Sequence, residues 1–141
     1  MDVSSTLRRR VMSLQRARNV ALLALESERV RNAMISIVFV SEQMIAKLNS
    51  RYLKKNRPTD VIAFGFGSAS RGGAVIGDIY ICPDVARVNA KAEKVSLREE
   101  LDRLVVHGIL HVLGYDHPES ESRVASKMWR KQESILRRAQ K

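Results

Sequence analysis

His107, His111 and His117 are the only histidines among 141 residues, and all three fall in the stretch HGILHVLGYDH. On a helix, side chains four residues apart rise from one face, so His107 and His111 can reach a common ion. Gly114 follows three residues after His111, and glycine ends a helix in a left-handed turn without steric cost. A chain reversing there can bring His117 back as a third nitrogen donor. Three neutral imidazoles with a fourth position open describe a catalytic zinc centre, since structural centres are usually closed by four protein ligands. Imidazole also suits nickel, copper and iron, so the identity of the ion stays open. A histidine pair four apart also arises by chance on helix surfaces and in cores. The third histidine beyond a glycine stop sets this pair apart.

The offsets of His107, His111, Gly114 and His117 coincide with the frame of a group of zinc peptidases. Those enzymes carry glutamate directly after the first histidine, as the base that activates water. This chain has Gly108 there. A glycine inside a helix costs about 1 kcal/mol relative to alanine, so a packed segment or a substrate backbone is expected to come close to it. Zinc on three uncharged ligands would polarise a phosphoryl oxygen or lower the pKa of a bound water to about 7. Asp116, Asp60 and Asp78 are the candidate bases. Each has a structural alternative: Asp116 as a turn cap or as a partner orienting a histidine, Asp60 and Asp78 as partners to a ligand nitrogen.

The elements that must carry this chemistry can be read from periodicity and caps. Apolar residues recur at helical spacing from about Ser5 to Glu28, through Leu7, Val11, Leu14, Ala21 and Leu25. MISIVFV, Met34 to Val40, reads as a buried strand, and Ser41 caps a helix holding Met44, Ile45 and Leu48. Pro58-Thr59-Asp60 opens a strand from Val61 to Phe66, Gly65 to Gly73 reads as a loose turn, and Val75 to Ile81 returns as the hairpin partner. Alternation along the strand makes core packing the expectation for Phe64 and Phe66; with Tyr52 and Tyr115 they are also the available stacking faces for unpaired bases. Pro83-Asp84 starts a helix through Glu93, and Ser96 with Glu99 caps a longer one from Leu97 to Leu113 that bears the first two histidines. After Pro118 a last amphipathic helix turns Val124, Met128 and Ile135 inward, with Trp129 a further candidate. The whole reads as one α+β domain over 1–141: a small mixed sheet of three to four strands, about five helices, and the histidines at the end of a central helix.

Charge is the second signal. Twenty-five Lys and Arg against fifteen Asp and Glu give a net +10, which favours a polyanionic partner. The excess clusters: Arg8, Arg9, Arg10, Arg16 and Arg18; then Lys47, Arg51, Lys54, Lys55 and Arg57; then Arg123, Lys127, Arg130, Lys131, Arg137, Arg138 and Lys141. Solvation of helix faces accounts for many of them. Cys82 is the only cysteine, reads as a small buried residue, and fits a reducing, cytoplasmic setting. No segment reads as a bilayer span or a secretory signal.

LREELDRLVVHGILHVLGYDH, together with PTDVIAFGF, VIGDIYIC and the tail MWRKQESIL, resembles the YbeY family of metal-dependent endoribonucleases over roughly residues 34–137. The resemblance implies a single-strand-specific endoribonuclease of ribosomal RNA maturation, including the 3′ end of the small-subunit RNA, and of ribosome quality control. It implies zinc on His107, His111 and His117. With Asp116 they are the expected catalytic residues, and the expected partners are single-stranded RNA, ribosomal RNA and the ribosome. A monomer or weak oligomer is expected, with no membrane partner. The chain departs from the family pattern at Leu53, where the family carries an arginine after the tyrosine of its LNxxY motif; Arg51, Lys54 or Arg57 are the substitutes available for binding substrate. Ala63 and Gly65 stand where the family has serine and proline. The strand expected before the first helix is weak, at best Asp2 to Ser4. A zinc peptidase of related frame and a non-catalytic, RNA-binding assembly factor with a structural metal are the alternatives.

Overall fold

Val3, Ile37, Ile79 and Ala63 stand side by side across four strands, each the Cα partner of the next. That row faces a layer of helices. The computed structural model describes residues 1–9, 11–53, 58–68, 74–115 and 127–141. In chain order they form β1 (Asp2–Ser5), α1 (Leu14–Ser27), β2 (Ala33–Phe39), α2 (Glu42–Leu53), β3 (Val61–Ser68), β4 (Val75–Ile81), α3 (Pro83–Glu93), α4 (Leu97–Val112) and α5 (Lys127–Ala139). The sheet order is β1-β2-β4-β3, with β1, β2 and β4 parallel and β3 antiparallel to β4. The α+β reading, with a mixed sheet and five helices among the described residues, is therefore observed.

Alternation decides which face is covered. Ile35, Ile37 and Phe39 of β2 and Ile79 and Ile81 of β4 are buried, and they pack with Ala17, Ala21 and Ala24 of α1 and Leu101, Val105 and Ile109 of α4. Burying an isoleucine of this kind contributes roughly 1.5–3 kcal/mol, so this shared layer dominates the fold. A smaller cluster of Val40, Ile45, Ile62 and Cys82 forms where α2 meets the sheet. Cys82 is buried as expected, and burial raises its thiol pKa.

Three expectations need correction. The first helix begins at Leu14, not near Ser5, because residues 2–5 pair with β2 and the Ser13 hydroxyl accepts the Arg16 amide at 3.2 Å. Leu7 and Val11 still pack on the core, but from the segment between β1 and α1. Gly65 belongs to β3, which runs on to Ser68 through an irregular register, rather than opening a turn. Phe66 is 61% exposed instead of packed. It falls in the irregular stretch of β3 between Gly65 and Ser68, where the regular alternation with β4 is interrupted. Phe64 does pack, edge-on between Tyr52 and Tyr80.

Candidate metal centre

The site is built at the C-terminal end of α4. Ser96 caps the helix, its hydroxyl accepting the Glu99 amide at 3.0 Å. Sixteen residues later the helix stops in a Schellman arrangement: the Gly114 amide donates to the His111 carbonyl and the Tyr115 amide to the Leu110 carbonyl, both at 3.0 Å. Gly114 has φ 102°, the left-handed backbone that the sequence placed there.

Close packing fixes how deep this end of the helix sits. Gly65 and Gly77 are Cα partners on β3 and β4. Val112 fills the gap their missing side chains leave: a Cβ on Gly77 would stand 2.5 Å from Val112 Cγ1, and one on Gly65 would stand 2.9 Å from the Val112 carbonyl oxygen. A Cβ on Gly108 would meet Ile79 Cγ2 at 2.7 Å. So the glycine that replaces the peptidase glutamate points at the central strand. A side chain there would enter the core, not the space above the histidines.

His107 and His111 are half-buried, with ring centroids 4.5 Å apart and planes at 75°. His107 Nδ1 lies 2.6 Å from Oε1 of Gln132, a residue of α5 that is 1% exposed. Two imidazoles this close on one helix face are nitrogen donors of the type whose chemistry suits zinc. His117 and Asp116 lie outside the described residues. Among the described residues no group of three His, Cys, Asp or Glu is placed to hold a metal ion.

Two polar networks surround the pair. Arg103, one turn before His107, donates to Glu99, Glu100 and Glu133 at 3.0 Å each. Burial opposes its charge, but the three carboxylates outweigh it and hold the guanidinium pKa well above its ordinary value. Glu133 also accepts the Gln132 Nε2 amide at 3.1 Å. On the other side, the Tyr115 hydroxyl donates to Glu28 at 2.5 Å, and Glu28 is paired with Lys131 at 3.3 Å. Tyr115, the last described residue before Asp116 and His117, is thereby tied to the end of α1 and to α5.

A profile of the family described as Endoribonuclease YbeY matches residues 5–140. The chain belongs to the YbeY family. An Endoribonuclease YbeY of Aquifex aeolicus is 40% identical over 111 residues, spanning 79% of this chain and 74% of that one. The Syntrophus aciditrophicus counterpart is 36% identical over 109 residues, 75% of this chain and 68% of the relative. The solution structure of TM1509 from Thermotoga maritima superposes with a TM-score of 0.66 at 27% identity, covering 99% of this chain and 89% of the other.

Within this YbeY chain the remaining candidates divide. Asp78 alternates with Gly77 and Ile79 on β4 and so lies on the sheet face opposite α4, where its charge raises the Tyr80 pKa after burial has done so first. Asp60 accepts the Asn89 amide of α3 at 3.2 Å, and its carbonyl accepts the Cys82 amide at 2.9 Å. Neither is brought to the histidines. Arg51, in the last turn of α2, is exposed, with its guanidinium carbon 5.5 Å from the centroid of the Tyr52 ring. Lys54 and Arg57 lie outside the described residues. Sequence reasoning missed Gln132 and Glu28. A signal for Gln132 was present: it sits between Met128 and Ile135 on the inward stripe of α5, and a lone polar residue on such a stripe needs a buried partner.

Proposed function

We propose that this chain is a metal-dependent endoribonuclease that cleaves single-stranded RNA in ribosomal RNA processing, including 3′-end maturation of small-subunit RNA and ribosome quality control. Membership of the endoribonuclease family carries this reading, supported by the paired imidazoles at the end of α4. His107, His111 and His117 would hold the ion, and zinc is the metal their chemistry suits best. When bound, the ion would supply positive charge to a scissile phosphate, where negative charge gathers on non-bridging oxygens. Asp116 is the proposed base, adjacent in sequence to the third ligand. Arg51, Lys54 and Arg57 are the proposed phosphate contacts, with Arg51 and Lys54 flanking the Leu53 position that lacks the family arginine. A net charge of +10 suits an RNA and ribosomal partner. No helix among the described residues is long and apolar enough to cross a membrane, and a cytoplasmic site of action is proposed with this function.

The peptidase alternative loses support at Gly108, since its position faces Ile79. The test compares the wild type with His111→Ala on single-stranded RNA and on peptide, with and without chelator. RNA cleavage lost on chelation and in the variant supports the proposal. Cleavage of RNA that survives both refutes it, and peptide cleavage would favour the alternative. RNA binding by the wild type should fall steeply with salt; a flat response refutes the basic surface as the contact.

A further inference from the structure

Gln132 is nearly inaccessible and lies on α5, away in sequence from every histidine, yet its amide spans the gap between His107 and the Arg103–Glu133 pair. The direction of each bond follows from donor and acceptor chemistry. A guanidinium only donates, and a carboxylate only accepts. Arg103 donates through Nε to Glu133 Oε2 at 3.0 Å, and the same oxygen lies 3.1 Å from Gln132 Nε2. The Gln132 NH2 must therefore face Glu133, and its carbonyl oxygen must face the ring. At 2.6 Å from that oxygen, His107 Nδ1 can only be the donor. Neutral imidazole carries one N–H, so the lone pair is on Nε2.

We infer that Gln132 is a positioning residue that holds His107 in the Nδ1–H tautomer, with Nε2 as its basic nitrogen. Its ligand role rests on the metal reading above; the tautomer does not. Arg103 and Glu133 make the selection directional, because they prevent the amide from turning over. An amide flip would let the NH2 donate to Nδ1 of the opposite tautomer, but it would lose the Glu133 bond and set a carbonyl oxygen against a carboxylate. The device costs the fold a buried amide, and that amide is satisfied at both ends.

The test uses 15N-labelled, zinc-free protein and long-range imidazole 1H–15N correlation spectra, which report which ring nitrogen carries the proton. The wild type should show His107 protonated at Nδ1. Gln132→Met, which keeps the side-chain length and removes the acceptor, should lose that preference, and Gln132→Glu, which keeps an acceptor, should retain it. Zinc titration against a competing chelator should show Gln132→Met weaker by about 10- to 100-fold, with Gln132→Glu restoring affinity. A wild-type His107 protonated at Nε2 overturns the inference without recourse to any variant. Equal zinc affinity in Gln132→Met and wild type overturns the positioning role while leaving the metal reading intact. A wild type that binds no zinc yet keeps the Nδ1–H signal supports the tautomer assignment and refutes zinc as the ion.

Discussion

Substituting Gly77 by alanine tests how the histidine-bearing end of α4 is held. The added Cβ would stand 2.5 and 2.7 Å from the two Val112 methyl carbons and 2.8 Å from the Phe64 carbonyl oxygen. Val112 is buried and Phe64 contributes backbone, so neither can simply swing away. Overpacking of this kind costs about 1–3 kcal/mol, against about 0.4–1 kcal/mol gained by restricting the unfolded chain. A net loss of about 1–2 kcal/mol is expected. Val112→Ala removes two methyl groups at about 0.8 kcal/mol each and leaves a small void, for a loss of about 2 kcal/mol. If the Val112 methyls are what the new Cβ strikes, the double variant should lose about 1 kcal/mol less than the sum of the singles. The Phe64 carbonyl keeps the recovery from being complete. Urea denaturation of the four proteins measures the cycle. Independent sites add within about 0.3–0.5 kcal/mol, so additivity at that level would refute the close approach.

Two further expectations concern the polar ties. Tyr115→Phe removes the hydroxyl bond to Glu28 and should cost about 1.5 kcal/mol, the low end for a bond to a charged group because Lys131 remains on the carboxylate. The Glu28 bond, then burial, then the Glu28 charge raise the Tyr115 phenol pKa. Its contribution is therefore complete below the unfolded value of about 10 and is lost as pH rises through the higher folded one, so alkaline melting curves of wild type and Tyr115→Phe should converge. For Glu133, burial pushes the carboxyl up, but hydrogen bonds from Arg103 and Gln132 outweigh it and hold the pKa below its ordinary value. That stabilisation is present above the unfolded value of about 4.3 and is lost as pH falls through the lower folded one. Glu133→Gln should be less stable at neutral pH and lose less on acidification; parallel acid denaturation curves would refute the assignment.

The sequence made some elements plain and left others hidden, for reasons that differ by residue. β4 and α3 carry the bounds read from their apolar run and from Pro83, because local chemistry alone sets them. The Gly114 stop was legible for the same reason. The start of α1 was not, because Leu7 and Val11 keep helical spacing while the backbone of residues 2–5 finds partners on a strand more than thirty residues away. Alternation along β3 predicted Phe66 inside, but the register shift between Gly65 and Ser68, which nothing local announces, interrupts the alternation there. Gly108 announced a close approach without naming Ile79. Gln132 and Glu28 act across the fold, at separations of 25 and 87 residues from the side chains they hold, and nothing local signals the partner.

Three devices therefore act on the C-terminal end of α4 and the residues just beyond it. Glycines at 65, 77 and 108 set how deeply the helix lies against the sheet, and so the height of its two imidazoles. Gln132 sets which nitrogen of His107 is basic, without moving the helix. Glu28 and Lys131 hold Tyr115 and with it the exit of the chain toward Asp116 and His117. Lys131 and Gln132 are neighbours on α5, so one helical turn serves both the ring and the exit. This arrangement separates effects that a histidine substitution would merge. A fault in the glycine contacts shows first as lost stability, and a fault at Gln132 as an altered tautomer at nearly unchanged backbone. A fault at Glu28 shows as weakened stability in which the Tyr115 alkaline limb disappears. A short peptide carrying His107 and His111 has none of these constraints, so placing the two rings together would cost it ordering entropy that the folded domain has already met.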